Sequence, residues 1–223
     1  MITDGNIRYI DFHTHRPDSE GDVISIMNLM AGEDIPSGFT SNTLFSAGIH
    51  PWQLTAENLS QLKTELILTS SHPHVVLIGE AGFDRLRGAP SEIQYQAFVF
   101  QTEIAMEMEK PMVIHCVKGW EELHRAYRQI KPARPWIIHG FRGKGRLAAS
   151  LADEGFWFSL GREGITKEIL GAVRHDRILL ETDVSDEPVA EVYRCFAEAT
   201  GCDDEEAVSL IKRNFNNLFN YSV

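Results

Sequence analysis

His13, His15, Glu80, His115, His139 and Asp183 are side chains that can hold divalent metal ions, and each closes or nearly closes a short apolar run. The runs are YIDFHTH (9–15), VVLIGE (75–80), MVIHC (112–116), WIIHG (136–140) and ILLETD (178–183). Imidazole and carboxylate together suit Zn²⁺ or Mn²⁺, and Mg²⁺ fits a four-histidine set less well. Such ions lower the pKa of a bound water, which is the chemistry of hydrolysis. Strands of a parallel sheet are buried on both faces and read as continuous apolar runs. A ligand where each run stops therefore predicts a site at the carboxyl edge of a parallel sheet.

The elements that must carry these ligands follow the same pattern. Strands are expected near 7–13, 23–29, 43–49, 75–80, 111–115, 135–139, 156–160 and 177–182. Helices are expected over 55–70, 91–109, 119–130, 144–154, 165–174, 187–200 and 204–219. Thr55 is the expected N-cap of the first helix, with Glu57 in its first turn. Gly155 and Gly201 are expected helix C-terminal caps. Eight strands alternating with helices predict an α/β fold, a (β/α)8 TIM barrel. After the first two strands the helices are expected to be shortened or missing: about seven residues follow His15, and AGEDIPSGFTSN has no helical period. Without a repeat or a linker, residues 1–223 are expected to form a single domain.

The formal charge of −11 argues against a stable complex with long nucleic acid through a basic surface, although phosphate substrates remain compatible with it. No apolar stretch approaches the roughly 20 residues of a membrane-spanning helix. MITDGNIRYIDF lacks a basic region followed by a long apolar one, so no secretory signal is expected. Cys116, Cys195 and Cys202 are odd in number and irregular in spacing, which points to a reduced, cytoplasmic setting. Cys116 alternates with His115 and is expected to pack away from it.

His13 and His15 are alternate residues and can face one ion. Glu80 is a lone carboxylate at the end of an apolar strand. Its burial is costly unless cations compensate, and a carboxylate can bridge two of them. His115 and His139, at equivalent strand ends, point to a shared role. Asp183 can bind metal and also take a proton from bound water. His50, in GIHPW, is expected to bind substrate phosphate, and Lys118 and Arg142 to recognise substrate charge. Asp84 fits either a supporting role or a loop cap. His72, His74, His124 and His175 read as surface residues.

DFHTH, AGIHPW, IGEAGFD, the Gln94–Phe98–Gln101 helix, PMVIHC, IIHGFRG, LLETD and NFNNLF resemble, in order, the motifs of the TatD-type metal-dependent hydrolases, within the wider amidohydrolase-like barrel group. The resemblance covers nearly the whole chain. It implies a TIM barrel with one or two divalent ions (Zn, Mn or Mg). His13, His15, Glu80 and Asp183 would hold one ion, and Glu80, His115 and His139 the other, with Glu80 between them. It also implies deoxyribonuclease or phosphoesterase activity, with Asp183 as the base and a phosphorylated small molecule or nucleic-acid end as substrate. The loops after His115 and Asp183, and the short segment after His15, depart from the family pattern. An amidase, deacylase or lactonase on the same centre is the second expectation, and a non-catalytic metal-binding barrel the third.

Overall fold

The structure is a computed structural model that describes residues 7–16 and 21–219. Eight strands form one sheet in sequential order, β1 to β8. They are β1 (Tyr9–Thr14), β2 (Val23–Met30), β3 (Thr43–Gly48), β4 (Val75–Asp84), β5 (Met112–Val117), β6 (Trp136–Ile138), β7 (Trp157–Leu160) and β8 (Ile178–Leu180). The paired strands β1–β2, β3–β4, β4–β5 and β7–β8 are parallel. A parallel bridge joins Thr14 to Asp183, bringing the end of the first strand beside the end of the last. The fold is an α/β (β/α)8 barrel.

The helices are α1 (Leu59–Ser70), α2 (Ser91–Glu107), α3 (Trp120–Ile130), α4 (Gly145–Glu154), α5 (Lys167–Leu170), α6 (Val189–Thr200) and α7 (Asp204–Phe219). Among the described residues, none lies between β2 and β3, as the composition of that segment predicts, and none between β1 and β2, where residues 17–20 of the short segment lie outside the described residues. No helix among them is long and apolar enough to cross a membrane. Gly155 and Gly201 end α4 and α6 in the left-handed conformation.

Two helix expectations need correction. The helix expected at 55–70 starts at Leu59. Thr55 and Asn58 instead bond each other's backbone N–H groups (2.8 and 3.2 Å), closing a turn ahead of the helix, so Glu57 lies outside it. The helix expected at 165–174 is only Lys167–Leu170. Thr166 caps it by accepting the Ile169 N–H, and beyond Leu170 the chain continues in turns, with the Gly171 N–H on the Lys167 carbonyl (3.0 Å) and the Val173 N–H on the Ile169 carbonyl (3.1 Å). Some strands also extend differently from expectation: β4 continues to Asp84, β5 to Val117, and His139 follows β6 directly.

Contacts divide the chain into two compact units, each assembled from separated segments. The first comprises residues 1–27, 40–43 and 138–223. Its core includes Ile10, Phe156, Phe158, Phe196 and Phe215, all buried. There the Tyr193 hydroxyl of α6 accepts the Ile10 N–H (3.0 Å) and donates to the Ile10 carbonyl (3.1 Å). The second unit comprises residues 28–39 and 44–137. Its core includes Phe45, Leu66, Ile78, Phe83, Phe98 and Trp136, with Phe98 edge-on to Trp136 at 5.1 Å.

Candidate metal centre

In the first unit, β1 carries an irregularity beside its ligands. Between Asp11 and Thr14 three steps on β1 oppose two on β2, Ser25 to Met27. This extra residue is a bulge, a device that re-aims side chains. His13 is fully buried, with its Nε2 3.9 Å from Asp183 Oδ1, and His15 Nε2 lies 3.6 Å from the same oxygen. Ligand atoms of His13, His15 and Asp183 lie within 4.8 Å of one another. The His139 ring stacks obliquely on His13 at 4.4 Å.

Asp183 has φ of 56°, in the left-handed region that most non-glycine residues avoid. Backbone pairing holds it there. Its N–H donates to the His13 carbonyl (2.9 Å), and its own carbonyl accepts from the His15 N–H (3.1 Å). Buried Asp11 supports the same corner by accepting the Thr182 N–H (2.9 Å) and hydroxyl (2.6 Å). Glu181, fully buried, accepts the Gly140 N–H (2.6 Å) and lies 3.7 Å from His139 Nδ1. Burial pushes the Glu181 carboxyl up from its ordinary range, against the opposing pull of His139. A cleft of about 340 Å³ opens beside Asp183, and Arg142 lines it, paired with Glu163 at 2.6 Å.

In the second unit, β4 carries an equivalent irregularity. Three steps from Ile78 to Ala81 oppose two from Met112 to Ile114, which places Glu80 in a bulge. Glycines on both sides permit it. A Cβ on Gly79 (φ +132°) would meet the Val113 carbonyl oxygen at 2.2 Å, and one on Gly82 (φ +154°) would meet that of His115 at 1.9 Å. Buried Asn28 grips Glu80: its amide donates to Glu80 Oε2 (3.1 Å), and its oxygen accepts the Glu80 N–H (3.1 Å) and the Ser46 hydroxyl (2.9 Å). Ligand atoms of His50, Glu80 and His115 lie within 4.8 Å of one another.

His50 differs from its neighbours in this group. Its Nδ1 accepts the Trp52 N–H (3.1 Å), so a neutral ring carries its proton on Nε2. That nitrogen offers a proton rather than a lone pair, and suits an anionic oxygen better than a cation. The His115 ring lies between carboxylates, with Nδ1 3.6 Å from Glu80 Oε1 and Nε2 3.5 Å from Asp84 Oδ2. Burial raises the Asp84 carboxyl, but hydrogen bonds from Trp52, Leu86 and Arg87, with the His115 ring close by, outweigh it and hold the group below the usual carboxylate range. Burial pushes the Cys116 thiol up, consistent with a packing role. Lys118 is exposed, adopts φ of 56° and forms a backbone bridge with Asp84.

The donor sets of both units, imidazole nitrogen with carboxylate oxygen, fit a divalent cation. Asn28, Asp11 and Glu181 support the ligands but escaped the sequence reading as functional groups, whereas Asp84 fills both roles the sequence left open, facing His115 and accepting the loop N–H groups of Leu86 and Arg87. Asn28 left a signal, being the lone amide inside the apolar run VISIMNLM. Gly79 and Gly82 left another, since glycine inside a strand marks a bulge or a close backbone approach.

The family model described as TatD related DNase matches residues 23–220. Among curated relatives, the 3′-5′ ssDNA/RNA exonuclease TatD of Rahnella sp. (strain Y9602) is 30% identical over 154 residues, covering 62% of this chain and 56% of that protein. The uncharacterized metal-dependent hydrolase YabD of Bacillus subtilis (strain 168) is 30% identical over 196 residues, covering 77% of this chain and 75% of that protein. The chain thus spans little more than half the length of several exonuclease relatives it matches. Among solved structures, YJJV, a TatD homologue from Escherichia coli K12, aligns with a TM-score of 0.78 at 21% identity, over 96% of this chain and 98% of that one. A TatD family hydrolase from Entamoeba histolytica aligns with a TM-score of 0.77 at 14% identity, with the same coverage. The family match spans nearly all of the chain that carries β2 to α7, and the chain belongs to the TatD-related DNase family.

Proposed function

We propose that this protein is a divalent-metal-dependent phosphodiesterase that hydrolyses nucleic-acid ends or small phosphorylated molecules. The observation that carries this reading is the convergence of His13, His15 and Asp183, with ligand atoms within 4.8 Å of one another at the ends of β1 and β8. His13, His15 and Asp183 hold one ion, with His139 beside them. Glu80 and His115 serve as ligands in the second unit. Zn²⁺ or Mn²⁺ suits these donors better than Mg²⁺. A bound divalent ion supplies a Lewis acid that polarises a phosphoryl oxygen and acidifies water.

The chain's own groups do the rest. Asp183 orients the attacking water and accepts its proton, a role worth about 10²–10⁴-fold in rate. His50 donates its Nε2 proton to a substrate phosphate oxygen. Arg142, on the cleft beside Asp183, and Lys118 recognise substrate charge. The exonuclease names of several relatives support a nucleic-acid substrate. The three free cysteines agree with a reducing, cytoplasmic setting.

The test is a substrate panel presented to metal-free protein with Mn²⁺, Zn²⁺ or Mg²⁺ restored: single-stranded DNA and RNA, a chromogenic phosphodiester, a phosphomonoester, an amide and a lactone. Metal-dependent phosphodiester cleavage is expected. Amide or lactone hydrolysis with no phosphodiester cleavage overturns the reading.

A further inference from the structure

Two carboxylates face His115, and they are held in different ways. Asp84 Oδ1 accepts two backbone N–H groups, those of Leu86 (2.7 Å) and Arg87 (3.1 Å). Asp84 Oδ2 accepts the Trp52 indole N–H (2.6 Å) and lies 3.5 Å from His115 Nε2, an ion-pair approach that ring and carboxylate have only to tighten to become a hydrogen bond. A carboxylate has about four acceptor positions. On Asp84, protein donors take three of them and His115 stands at the fourth. The backbone of Asp84 is fixed as well: Gln94 accepts its N–H (2.8 Å) and donates to its carbonyl (2.8 Å). Asp84 is therefore a buried carboxylate whose acceptor positions are already faced by protein donors. Glu80, on the opposite side of the ring, has its Oε1 at 3.6 Å from His115 Nδ1 and belongs to the group of converging ligand atoms.

The geometry points to Asp84 as a positioning residue that keeps the His115 proton on Nε2, so that Nδ1 is the nitrogen offered to metal beside Glu80. A ligating histidine whose other ring N–H meets a carboxylate has its tautomer and ring plane fixed and its basicity raised. Trp52 completes the arrangement. Its indole N–H binds Asp84, its backbone N–H fixes His50, and its ring lies edge-on to His115 at 5.8 Å. One loop thus orients both histidines of this unit, and through Asp84 it sets which atom of His115 is the donor. This assignment rests on the metal-dependent reading above for its purpose, but its test does not require turnover.

The experiment is imidazole ¹⁵N NMR of the protein titrated with Zn²⁺ from the metal-free state. His115 is assigned by the loss of its signals in His115→Gln. In wild type, Zn²⁺ is expected to shift Nδ1 while Nε2 keeps its proton. Asp84→Asn is expected to weaken Zn²⁺ at His115 by about 10–100-fold and to lose the protected Nε2–H signal. Trp52→Phe removes the indole donor but leaves the Asp84 carboxylate opposite Nε2, and is expected to keep the Nε2–H signal while weakening Zn²⁺ at His115 less than Asp84→Asn does. Zn²⁺ bound through Nε2, no Zn²⁺ at His115, or wild-type affinity in a folded Asp84→Asn protein overturns the assignment. If Asp84→Asn does not fold, the ligating nitrogen in wild type decides alone. Zn²⁺ bound through Nδ1 without any phosphodiester cleavage supports the assignment and removes the proposed reaction.

Discussion

The two units hold their candidate ligands by different means. In the first, backbone does most of the work: Asp183 sits in the left-handed region because its N–H and carbonyl pair with the segment that carries His13 and His15. In the second, Glu80 and His115 are oriented by side chains distant in sequence, Asn28, Ser46, Asp84 and Trp52. A ligand held by backbone pairing tolerates a change of its own side chain. A ligand held by a buried polar network depends on every member, because an unpaired polar group in a low-dielectric interior is costly. Both units nevertheless use a bulge to aim a ligand, at His13 on β1 and at Glu80 on β4.

The largest effect expected from this contrast is on activity. Asp183→Asn keeps a side chain that tolerates the left-handed conformation, and the backbone pairing does not depend on the carboxylate. Turnover is expected to fall by about 10²–10⁴-fold, with the thermal midpoint nearly unchanged. Kinetics on metal-loaded protein, with a thermal melt beside them, check this. Near-normal turnover in a folded variant would remove Asp183 as the base.

The largest effect on stability is expected in the second unit. Gly82→Ala places a Cβ 1.9 Å from the His115 carbonyl oxygen at a φ of +154°. Overpacking and backbone strain together are expected to cost about 2–6 kcal/mol, measured by denaturant unfolding. Asn28→Ala comes next. It deletes the amide that grips Glu80 and Ser46, at about 1–3 kcal/mol, and should weaken metal binding at Glu80 more than at Asp183. Equal weakening at both positions would contradict the separation between the two means of support.

The sequence made the strands and their ligands legible for one physical reason. A polar side chain at the end of a run such as VVLIG or WII is costly to bury without a partner, so it announces itself. That no helix among the described residues directly follows β2 was equally plain, because Gly, Pro and Ser in AGEDIPSGFTSN leave no apolar period. The supports were less legible. Asn28 and Glu80 are 52 residues apart, and Asp11 and Thr182 are 171 apart. No local period encodes such contacts. The pairing of His50 with Glu80 and His115, and of His139 with His13, likewise depends on ring orientation rather than on strand position. At Thr55 the local signal was real but incomplete, since Thr55 and Asn58 bond each other's N–H groups in a turn of their own and the helix begins only after it.

The smallest expected effects lie on the rim of the first unit, where Arg142 is exposed and paired with Glu163. An exposed ion pair contributes about 0–1 kcal/mol, so neither Arg142→Ala nor Glu163→Gln should move the thermal midpoint appreciably. Their effects on substrate should have opposite signs. Arg142→Ala removes a cation from the cleft beside Asp183 and is expected to raise KM for a phosphodiester. Glu163→Gln releases the guanidinium from its carboxylate and is expected to lower KM by roughly 2–5-fold, the equivalent of an exposed pair. Neither should change kcat, because neither group reaches the reacting atoms in the proposed mechanism. Steady-state kinetics at two ionic strengths check both, since screening should shrink the difference between the variants. If KM moves in the same direction for both, Arg142 does not read substrate charge, and recognition in the first unit rests on other groups of the cleft.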